Sequence, residues 1–373
     1  MFGSFKQHLR ARLLGSRNKV IIHVTINLYL FIKFKFEILS NFRYFSKRWS
    51  SLSDAEIPLT SMNQITPNEG DCYVFNPTII NWNNELLCFA RISNLSLRPH
   101  TNFWEKDQNK YKTLELKNGI CSFSLNSNFE ITNYRTLVPI SNVPNLEDPK
   151  VFIHNEKLLL TCNYVVQHPN ESGDKLICKV VIYDLDRKEI LQLEGPTNRN
   201  IEKNWIPMPI DGPNLNFIYD SLPDSIYRIE ANSLKGIMLN GSPKKLFNYH
   251  GGSQFLQISE FFYIRIVREK RRLPKKGLVT LSYILVYNSN LEYIKTIGPF
   301  IFRIFGFEIC NGITISGDSV IFSWGENDHK MFVGEIKIDK LLTWIEVFDK
   351  NQNSKRHFWK LRRDILTRLK SIE

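Results

Sequence analysis

Between residues 70 and 340 the hydrophobic and polar positions repeat one pattern five times. In each repeat a small polar cluster opens a short apolar strand, a turn of small or acidic residues follows, and a second apolar strand completes a hairpin. The repeats open at Asn76, Glu147, Lys203, Gly251 and Asn311. A run of alternating apolar and polar residues follows each hairpin and indicates a half-buried outer strand. The pattern therefore predicts five sheets, each built from a hairpin and an outer strand.

A recurring hairpin with an outer strand is what a β-propeller blade requires. No long helical period interrupts the series, and a doubly wound α/β fold would need a crossover helix after each strand. We therefore predict an all-β chain with a five-bladed β-propeller at residues 56–348. Helical or extended segments are expected at both ends: a basic, partly apolar extension at residues 1–55 and a basic amphipathic helix at residues 349–373.

The formal net charge of +12 is concentrated at the two ends of the chain. Residues 1–50 carry +9 and residues 350–373 carry +6, which leaves −3 on the body between them. A nucleic-acid-binding domain is expected to carry its positive charge on the folded surface, so the near-neutral body argues against that function. The basic ends leave open a peripheral contact with an acidic membrane surface. One internal basic run, at residues 265–276 (RIVREKRRLPKK), is interpreted as a solvated loop between two strands.

The six cysteines lie mostly in apolar, strand-like runs, and none of them forms a CxxC pair. No group of His and Cys has the spacing of a zinc site, so we expect no metal. Buried thiols in a reducing compartment are the simpler interpretation, although the even number of cysteines also permits disulfides. The apolar-rich stretch at residues 20–36 lacks a following small-residue cleavage site, so no secretory signal is predicted. We therefore expect a cytoplasmic protein.

In a propeller the entry loops of the innermost strands gather at one mouth of the central funnel. The polar residues that open the repeats and those that end the second strands are therefore expected to converge. Such a mixture of carboxylates, cations, amides and aromatic rings is typical of a sugar-binding site. The residues expected there are Asn76, Arg91, Glu147, Asp148, Lys150, Tyr164, Lys203, Asn204, Trp205, Tyr219, Asp220, His250, Asp328, His329 and the stretch 308–312.

Several segments of this region resemble glycoside hydrolase family 130 and the related β-mannoside phosphorylases and β-mannosyltransferases. They are LEDPKVF, EKNWIPMP, IYDSLPDSIYRI, GGSQFL and FEICNGITISGDSVIFSWGENDHKMFVGEI. The resemblance implies a five-bladed propeller that acts on mannose-like sugars with inversion at the anomeric centre. It also implies inorganic phosphate or a sugar phosphate as a co-substrate, with no other cofactor.

Together with the expected funnel positions, the resemblance assigns roles to individual residues. Substrate binding is expected from Asn76, Arg91, Glu147, Asp148, Asn204, Trp205, Tyr219, Asp328 and His329. Phosphate binding is expected from Arg91, Lys150, Lys203 and His250. The family's Glu-Asp-Pro-Arg motif ends here in Lys150, which can hold an oxyanion as a point charge but lacks arginine's bidentate fork.

An inverting phosphorylase needs a carboxylic acid that protonates the leaving oxygen. The resemblance places this general acid shortly after the strand that carries Arg91, where the sequence reads ISNLSLRPHTNFWEKDQNK. Asp107 and Glu105 are the catalytic candidates, and both lie in a polar stretch that also fits a solvated turn.

Two functions therefore remain open. The first is a glycoside phosphorylase or glycosyltransferase of mannose-like sugars, with an oligosaccharide or sugar phosphate as its partner. The second is a non-catalytic propeller that binds a glycan or a protein, which is favoured by the lack of a clearly matching acid after the Arg91 strand and by Lys150 in place of arginine. A carboxylate of the 93–118 segment that faces the funnel would support the enzyme.

Overall fold

A computed structural model describes the chain at residues 56–66, 72–94, 117–141, 144–167, 177–196, 199–219, 226–230, 236–240, 249–273 and 277–351. Within these residues the strands form five antiparallel sheets, which are arranged as the blades of a β-propeller. The predicted fold class is therefore confirmed. The predicted extension at 1–55 and the residues from 352 onward lie outside the described part of the chain.

The chain enters the propeller through a single strand, β1 (Ser61–Ile65). Blade one then follows as β2 (Tyr73–Trp82), β3 (Glu85–Ser93), β4 (Asn118–Leu125) and β5 (Ile131–Ser141). Blade two consists of β6 (Leu146–His154), β7 (Lys157–Gln167), β8 (Ile177–Asp184) and β9 (Glu189–Gln192).

Blade three is the most compact and consists of β10 (Ile206–Pro207), β11 (Asn214–Ile218), β12 (Ile226–Glu230) and β13 (Gly236–Asn240). Blade four has its inner strand in two pieces, because β14 and β15 both pair with β16. Its strands are β14 (Tyr249–His250), β15 (Leu256–Ser259), β16 (Phe262–Leu273), β17 (Gly277–Asn288) and β18 (Tyr293–Phe300).

Blade five joins the two ends of the propeller. Its inner three strands are β19 (Glu308–Ser316), β20 (Ser319–Glu326) and β21 (Lys330–Lys337), and β1 supplies the fourth. β1 runs antiparallel to β21, with Ser61 opposite Glu335 and Ile65 opposite Met331. Helix α1 (Ile338–Asn351) follows β21 directly and so begins before the helix predicted at 349–373.

The alternating runs predicted as outer strands are instead the third strands of their blades. A fourth strand covers each of them, in the order β5, β9, β13, β18 and β1. The third strands are consequently more buried than predicted, and in β4 seven of eight residues are buried. A fourth strand gives little sequence signal where it is short and exposed, as in β9, none of whose four residues is buried.

The hydrophobic core lies in layers between adjacent blades. The layer between blades five and one includes Ile65 of β1, Val333 of β21, Phe75 of β2 and Phe123 of β4. Further layers join blades one and two and blades two and three. Closure of the ring therefore depends on apolar contacts as well as on the hydrogen bonds between β1 and β21.

Side chains of the innermost strands also link one blade to the next across the centre. The Nε2 atom of Gln254 donates to the carbonyl oxygens of Ile79, at 2.7 Å, and Ile313, at 2.8 Å. These bonds join blade four to blades one and five. The hydroxyl of Ser323 in blade five donates to the carbonyl oxygen of Pro77 at 3.0 Å. The entry ends of the inner strands are thus fixed relative to one another.

Strand β1 offers a direct test of ring closure. Ile65 is 4% exposed, whereas Met62 of the same strand is 40% exposed. Because Ile65→Ala leaves a cavity between blades five and one, we expect it to lower the free energy of unfolding by about 2–5 kcal/mol. Met62→Ala should change it by less than about 0.5 kcal/mol. Chemical denaturation measures both values, and equal losses would contradict closure by β1.

Candidate functional site

At the entry to four of the inner strands the backbone adopts a left-handed conformation. The φ angle is 54° at Asn76, 47° at Asp148, 62° at Asn204 and 51° at Gly251. Gly, Asn and Asp are the residues that tolerate this region best, which explains why the repeats open on them. In blades one and two the pairing register shifts at this point, as expected for a β-bulge. A bulge re-aims its side chain, and here it brings the Asn76 and Asp148 side chains together.

The Asn76 carboxamide joins three blades. Its Nδ2 atom donates to Oδ1 of Asp148 in blade two at 2.9 Å and to Oδ1 of Asp328 in blade five at 2.8 Å. Asn76 is only 1% exposed. Gly325 of β20 permits this arrangement, because a β-carbon there would overlap Oδ1 of Asn76 and lie 2.9 Å from its backbone nitrogen. Sequence reasoning found Asn76, Asp148 and Asp328 but not the glycine that makes room for them.

Arg91 is also buried, and it contacts both Glu147 and Asp148. Its Nε donates to Oδ1 of Asn118 at 2.8 Å, and its Nη2 lies 3.1 Å from Oε1 of Glu147. Its Nη1 lies 3.7 Å from Oδ1 of Asp148, and the ring of Phe75 lies under the guanidinium at 5.0 Å. Arg91 therefore holds the Glu147-Asp148 pair in place.

Two asparagines extend the hydrogen-bond network around Glu147, and sequence reasoning missed both. Asn118 Nδ2 donates to Oδ1 of Asn145 at 2.5 Å and contacts Oε1 of Glu147 at 3.4 Å. Asn118 and Asn145 are each 2% exposed or less. The sequence signal was a polar residue at the start of a strand that is otherwise apolar, as Asn118 is in NGICSF.

The two aspartates that share Asn76 have opposite pKa shifts. Burial disfavours the charge on Asp148, but Arg91, Lys150 and the Asn76 amide outweigh it and hold the pKa of Asp148 below its usual value. Burial and the nearby charge of Asp148 raise the pKa of Asp328. This is the behaviour of two carboxylates that compete for one set of cations. Asp148 is accordingly the anion of the pair, and Asp328 is the readier of the two to hold a proton.

Cations from blades two and four surround these aspartates. Lys150 is 2% exposed, and burial is the main reason why its pKa is lowered to about 8. Burial, with the positive charges of Arg268 and Lys203, also lowers the pKa of Lys270 to about 8. Arg268 is 4% exposed, and burial lowers its pKa as well, against the attraction of Asp148 and other acids.

Arg268 and Lys270 come from the basic run that we interpreted as a solvated loop, and that interpretation is wrong. Residues 265–273 belong to strand β16, and Arg265 within them is fully buried. Arg268 lies opposite the predicted phosphate-binding residue His250 in the pairing of β14 with β16. Charge density alone suggested exposure, whereas residues 264–269 are buried without interruption, so both faces of this part of β16 are covered.

The predicted residues of blade three lie in different surroundings. Lys203 and Asn204 are half-buried, and the backbone N–H of Asn204 donates to Oδ1 of Asn163 at 2.9 Å. Trp205 and Tyr219 belong to the core between blades two and three. The rings of Trp205 and Tyr219 lie 5.7 Å apart, and the Tyr219 hydroxyl donates to Glu202.

Some of the remaining predicted residues are described by the structure, and others lie outside the described ranges. His329 is half-buried, with its ring 5.6 Å from that of Tyr73, and Tyr164 packs against the core between blades one and two. The carboxylate of Glu308 accepts hydrogen bonds from the backbone amides of residues 302, 303 and 304. Asp107, Glu105 and Asp220 lie outside the described residues.

The described residues also bear on metal binding, the state of the thiols and membrane insertion. Across the described ranges, no three His, Cys, Asp or Glu side chains are placed to hold a metal ion together. Five of the six cysteines are buried, all except Cys72. In the part of the chain with described coordinates, no helix is both long enough and apolar enough to span a bilayer.

Gly325 gives a test of the Asn76 junction. Gly325→Ala places a methyl group against the backbone and side chain of Asn76, which cannot move without breaking contacts to two other blades. We expect a loss of about 1–3 kcal/mol in the free energy of unfolding. At Gly306 the nearest atom to an added β-carbon is the flexible Cδ1 of Ile304, at 3.0 Å, so Gly306→Ala should cost much less. Similar losses for the two variants, measured by denaturant titration, would argue against the junction.

Comparison with known proteins gives structural matches alone. No protein-family model matches the sequence, and no curated protein sequence matches it. One similar structure represents the GH130 family of mannoside phosphorylases, with a TM-score of 0.51 and 10% identity over 75% of this chain and 94% of that chain. A GDP-Man-dependent mannosyltransferase from Leishmania mexicana has a TM-score of 0.51 and 13% identity, covering 75% of this chain and 89% of its own.

A mannose phosphorylase from Leishmania mexicana, in complex with a phosphate ion, is similar to the same degree. Its TM-score is 0.51 and its identity 13%, over 83% of this chain and 96% of that chain. At these identities the likeness concerns the fold. The chain therefore has the five-bladed propeller found in mannoside phosphorylases and related glycoside hydrolases, as the sequence resemblance implied.

Proposed function

We propose that this propeller is a carbohydrate-active enzyme, a phosphorylase or a glycosyltransferase of mannose-like sugars. The observation that carries the proposal is the junction at Asn76, where two half-buried carboxylates meet beside the buried cations Lys150 and Arg268. Carboxylates of this kind accept hydrogen bonds from sugar hydroxyls, and clustered cations hold a phosphoryl group. The similar folds of a mannose phosphorylase and a mannosyltransferase support the same class of chemistry.

In the proposed site Asp148 and Asp328 bind hydroxyls of the sugar ring. Asp148 is held as an anion and is fixed by Asn76 and Arg91, so it can accept hydrogen bonds without reorganising. Asp328 is bound to the same amide and contacts the sugar from blade five. Lys150, with Lys203, supplies positive charge to the phosphoryl group.

Two reactions fit this arrangement. In phosphorolysis a phosphate oxygen attacks the anomeric carbon, the glycosidic bond breaks, and the leaving oxygen takes a proton from a general acid. In transfer an acceptor hydroxyl attacks the anomeric carbon of a nucleotide sugar, the bond from that carbon to the diphosphate oxygen breaks, and the departing nucleoside diphosphate takes up the hydroxyl proton. Asp107 and Glu105 remain our proposed general acids for the phosphorylase.

Turnover tests the proposal directly. Purified protein should release mannose 1-phosphate from a β-mannoside with inorganic phosphate, or consume GDP-mannose with a mannose-containing acceptor. Asp328→Asn should lower kcat/KM by about 10- to 100-fold, because it weakens hydrogen bonds to a charged acceptor. Asp318→Asn is the matched control, since Asp318 is exposed and pairs with Lys337 in a hairpin turn.

The acid candidates are separated by the same assay. Removal of a general acid costs about 10²–10⁴-fold in rate, so either Asp107→Asn or Glu105→Gln should show such a loss. Unchanged rates in both variants would remove these residues as acids. Binding of mannosides or phosphate without turnover of any of these substrates would instead support the non-catalytic propeller.

The two buried lysines predict how anion binding depends on pH. Their pKa values are lowered to about 8, so both carry positive charge at neutral pH and lose it as the pH rises through that value. We expect sulfate, whose charge is constant in this range, to bind about 10-fold more weakly near pH 9.5 than near pH 7. Calorimetric titration measures the affinity, and Lys270→Met should flatten the dependence. An affinity that stays constant over this range would contradict a role for these lysines.

A further inference from the structure

Arg268 differs from the other buried arginines in how its guanidinium is satisfied. It is 4% exposed, and its Nε and Nη1 atoms have no hydrogen-bond partner among the residues that the structure describes. Leaving buried N–H groups of a charged side chain without acceptors costs several kcal/mol. Such a group is expected to persist where a ligand supplies the acceptors.

The other two buried arginines each donate from Nε to a neighbouring side chain. Arg91 is bound to Asn118 and Glu147, so its charge is balanced by a neighbouring carboxylate. Arg265, three residues before Arg268 on β16, donates to the hydroxyl of Tyr287 at 2.8 Å. The Arg265 guanidinium also lies over the ring of Tyr287 at 5.8 Å. Arg91 and Arg265 are thus each bonded through Nε to a neighbouring side chain, whereas neither Nε nor Nη1 of Arg268 has a hydrogen-bond partner among the described residues.

Gly251 lies directly beside the guanidinium of Arg268. A β-carbon at Gly251 would lie 3.3 Å from Nη2 of Arg268 and 3.3 Å from Oδ1 of Asn204, and the φ of +51° also favours glycine. The guanidinium therefore borders on the left-handed entries of blades three and four, where a side chain at position 251 would crowd it.

The charges around Arg268 leave an excess of positive charge. The pKa of Arg268 responds to Asp148 and Asp328, and the pKa of Lys270 responds to Arg268 and Lys203. Lys150 responds to Asp148, Arg268 and Lys203, so these groups are mutual neighbours. The charge of Arg91 is balanced by Glu147. The other four cations exceed the two carboxylates, Asp148 and Asp328, by two positive charges, and this excess matches a dianion.

We propose that Arg268 is the principal phosphoryl-binding residue of the site and that Arg91 is a positioning residue. The inference rests on the proposed function and deepens it. The planar guanidinium presents two parallel N–H groups to phosphate oxygens, which the point charge of Lys150 cannot do. The phosphoryl group belongs either to inorganic phosphate or to a nucleotide sugar, which share this chemistry.

Calorimetric titration with inorganic phosphate, and separately with GDP-mannose, tests this assignment. Arg268→Gln should weaken binding of the phosphoryl ligand by about 10- to 100-fold, as expected for loss of charge-assisted hydrogen bonds. Arg268→Lys should recover only part of the loss, because it restores the charge without the fork. Mannose affinity should stay unchanged in both variants, which shows that the sugar subsite is still folded.

Two matched controls come from the same strand. Arg265→Lys changes a buried arginine that is bonded to Tyr287, and Arg271→Gln removes a cation whose side chain is 31% exposed and paired with Glu269. Both should bind the phosphoryl ligand as the unmodified protein does, even if Arg265→Lys lowers the melting temperature.

The outcomes distinguish this inference from the proposed function. Phosphoryl binding that survives Arg268→Gln but is lost in Arg91→Lys would overturn the assignment and leave the enzyme proposal intact. If the unmodified protein binds GDP-mannose but not inorganic phosphate, and Arg268→Gln weakens that binding, the assignment is supported and the phosphoryl group is that of a nucleotide sugar. If the unmodified protein binds neither compound, both proposals fail.

Discussion

The hydrogen bonds of the Asn76 carboxamide are the constraint on which the centre of this protein depends. One amide nitrogen holds a carboxylate from blade two and another from blade five, while its own backbone opens blade one. The left-handed φ at Asn76 and the missing side chain at Gly325 are both required for that geometry. Because three blades meet at one buried group, the site is preorganised by the closure of the propeller.

The sequence predicted the architecture well because the hairpins of each blade are determined by local residue patterns. Hairpin turns and apolar runs are decided by neighbouring residues, so five hairpins and their order could be found without coordinates. Asn76, Asp148 and Asn204 were also predictable, since Asn and Asp before a strand mark the left-handed entries. The outermost strands were not, because strands such as β9 are short and exposed and depend on pairing.

The site was less predictable where its residues depend on distant parts of the chain. Arg268 lies in a basic run that resembles a surface loop, and only the pairing of β16 with its neighbours buries it. Trp205 and Tyr219 were predicted to bind the sugar from their sequence position, yet they pack in the core between blades two and three. Local patterns specify the left-handed residues at the entry to the inner strands. The charges that surround the site are determined by which blades meet at the centre of the propeller.

The burial of several cations has a physical consequence for how the site works. Desolvation lowers the pKa of Lys150 and Lys270 and disfavours the charge on Arg268, so keeping these groups charged costs free energy. In the proposed site an anionic ligand would offset that cost, and the offset would contribute to its affinity. Function and stability are expected to oppose each other at these positions, as is common for preorganised sites.

The central claim is that one site binds a sugar at the Asn76 junction and a phosphoryl group at Arg268. A crystal structure of the full chain with mannose 1-phosphate tests it most directly. We predict that the ring hydroxyls contact Asp148 and Asp328 and that the phosphoryl oxygens lie within hydrogen-bonding distance of the Arg268 guanidinium. A ligand bound elsewhere, or one whose phosphoryl group contacts Arg91 while Arg268 remains without a contact, would contradict this account.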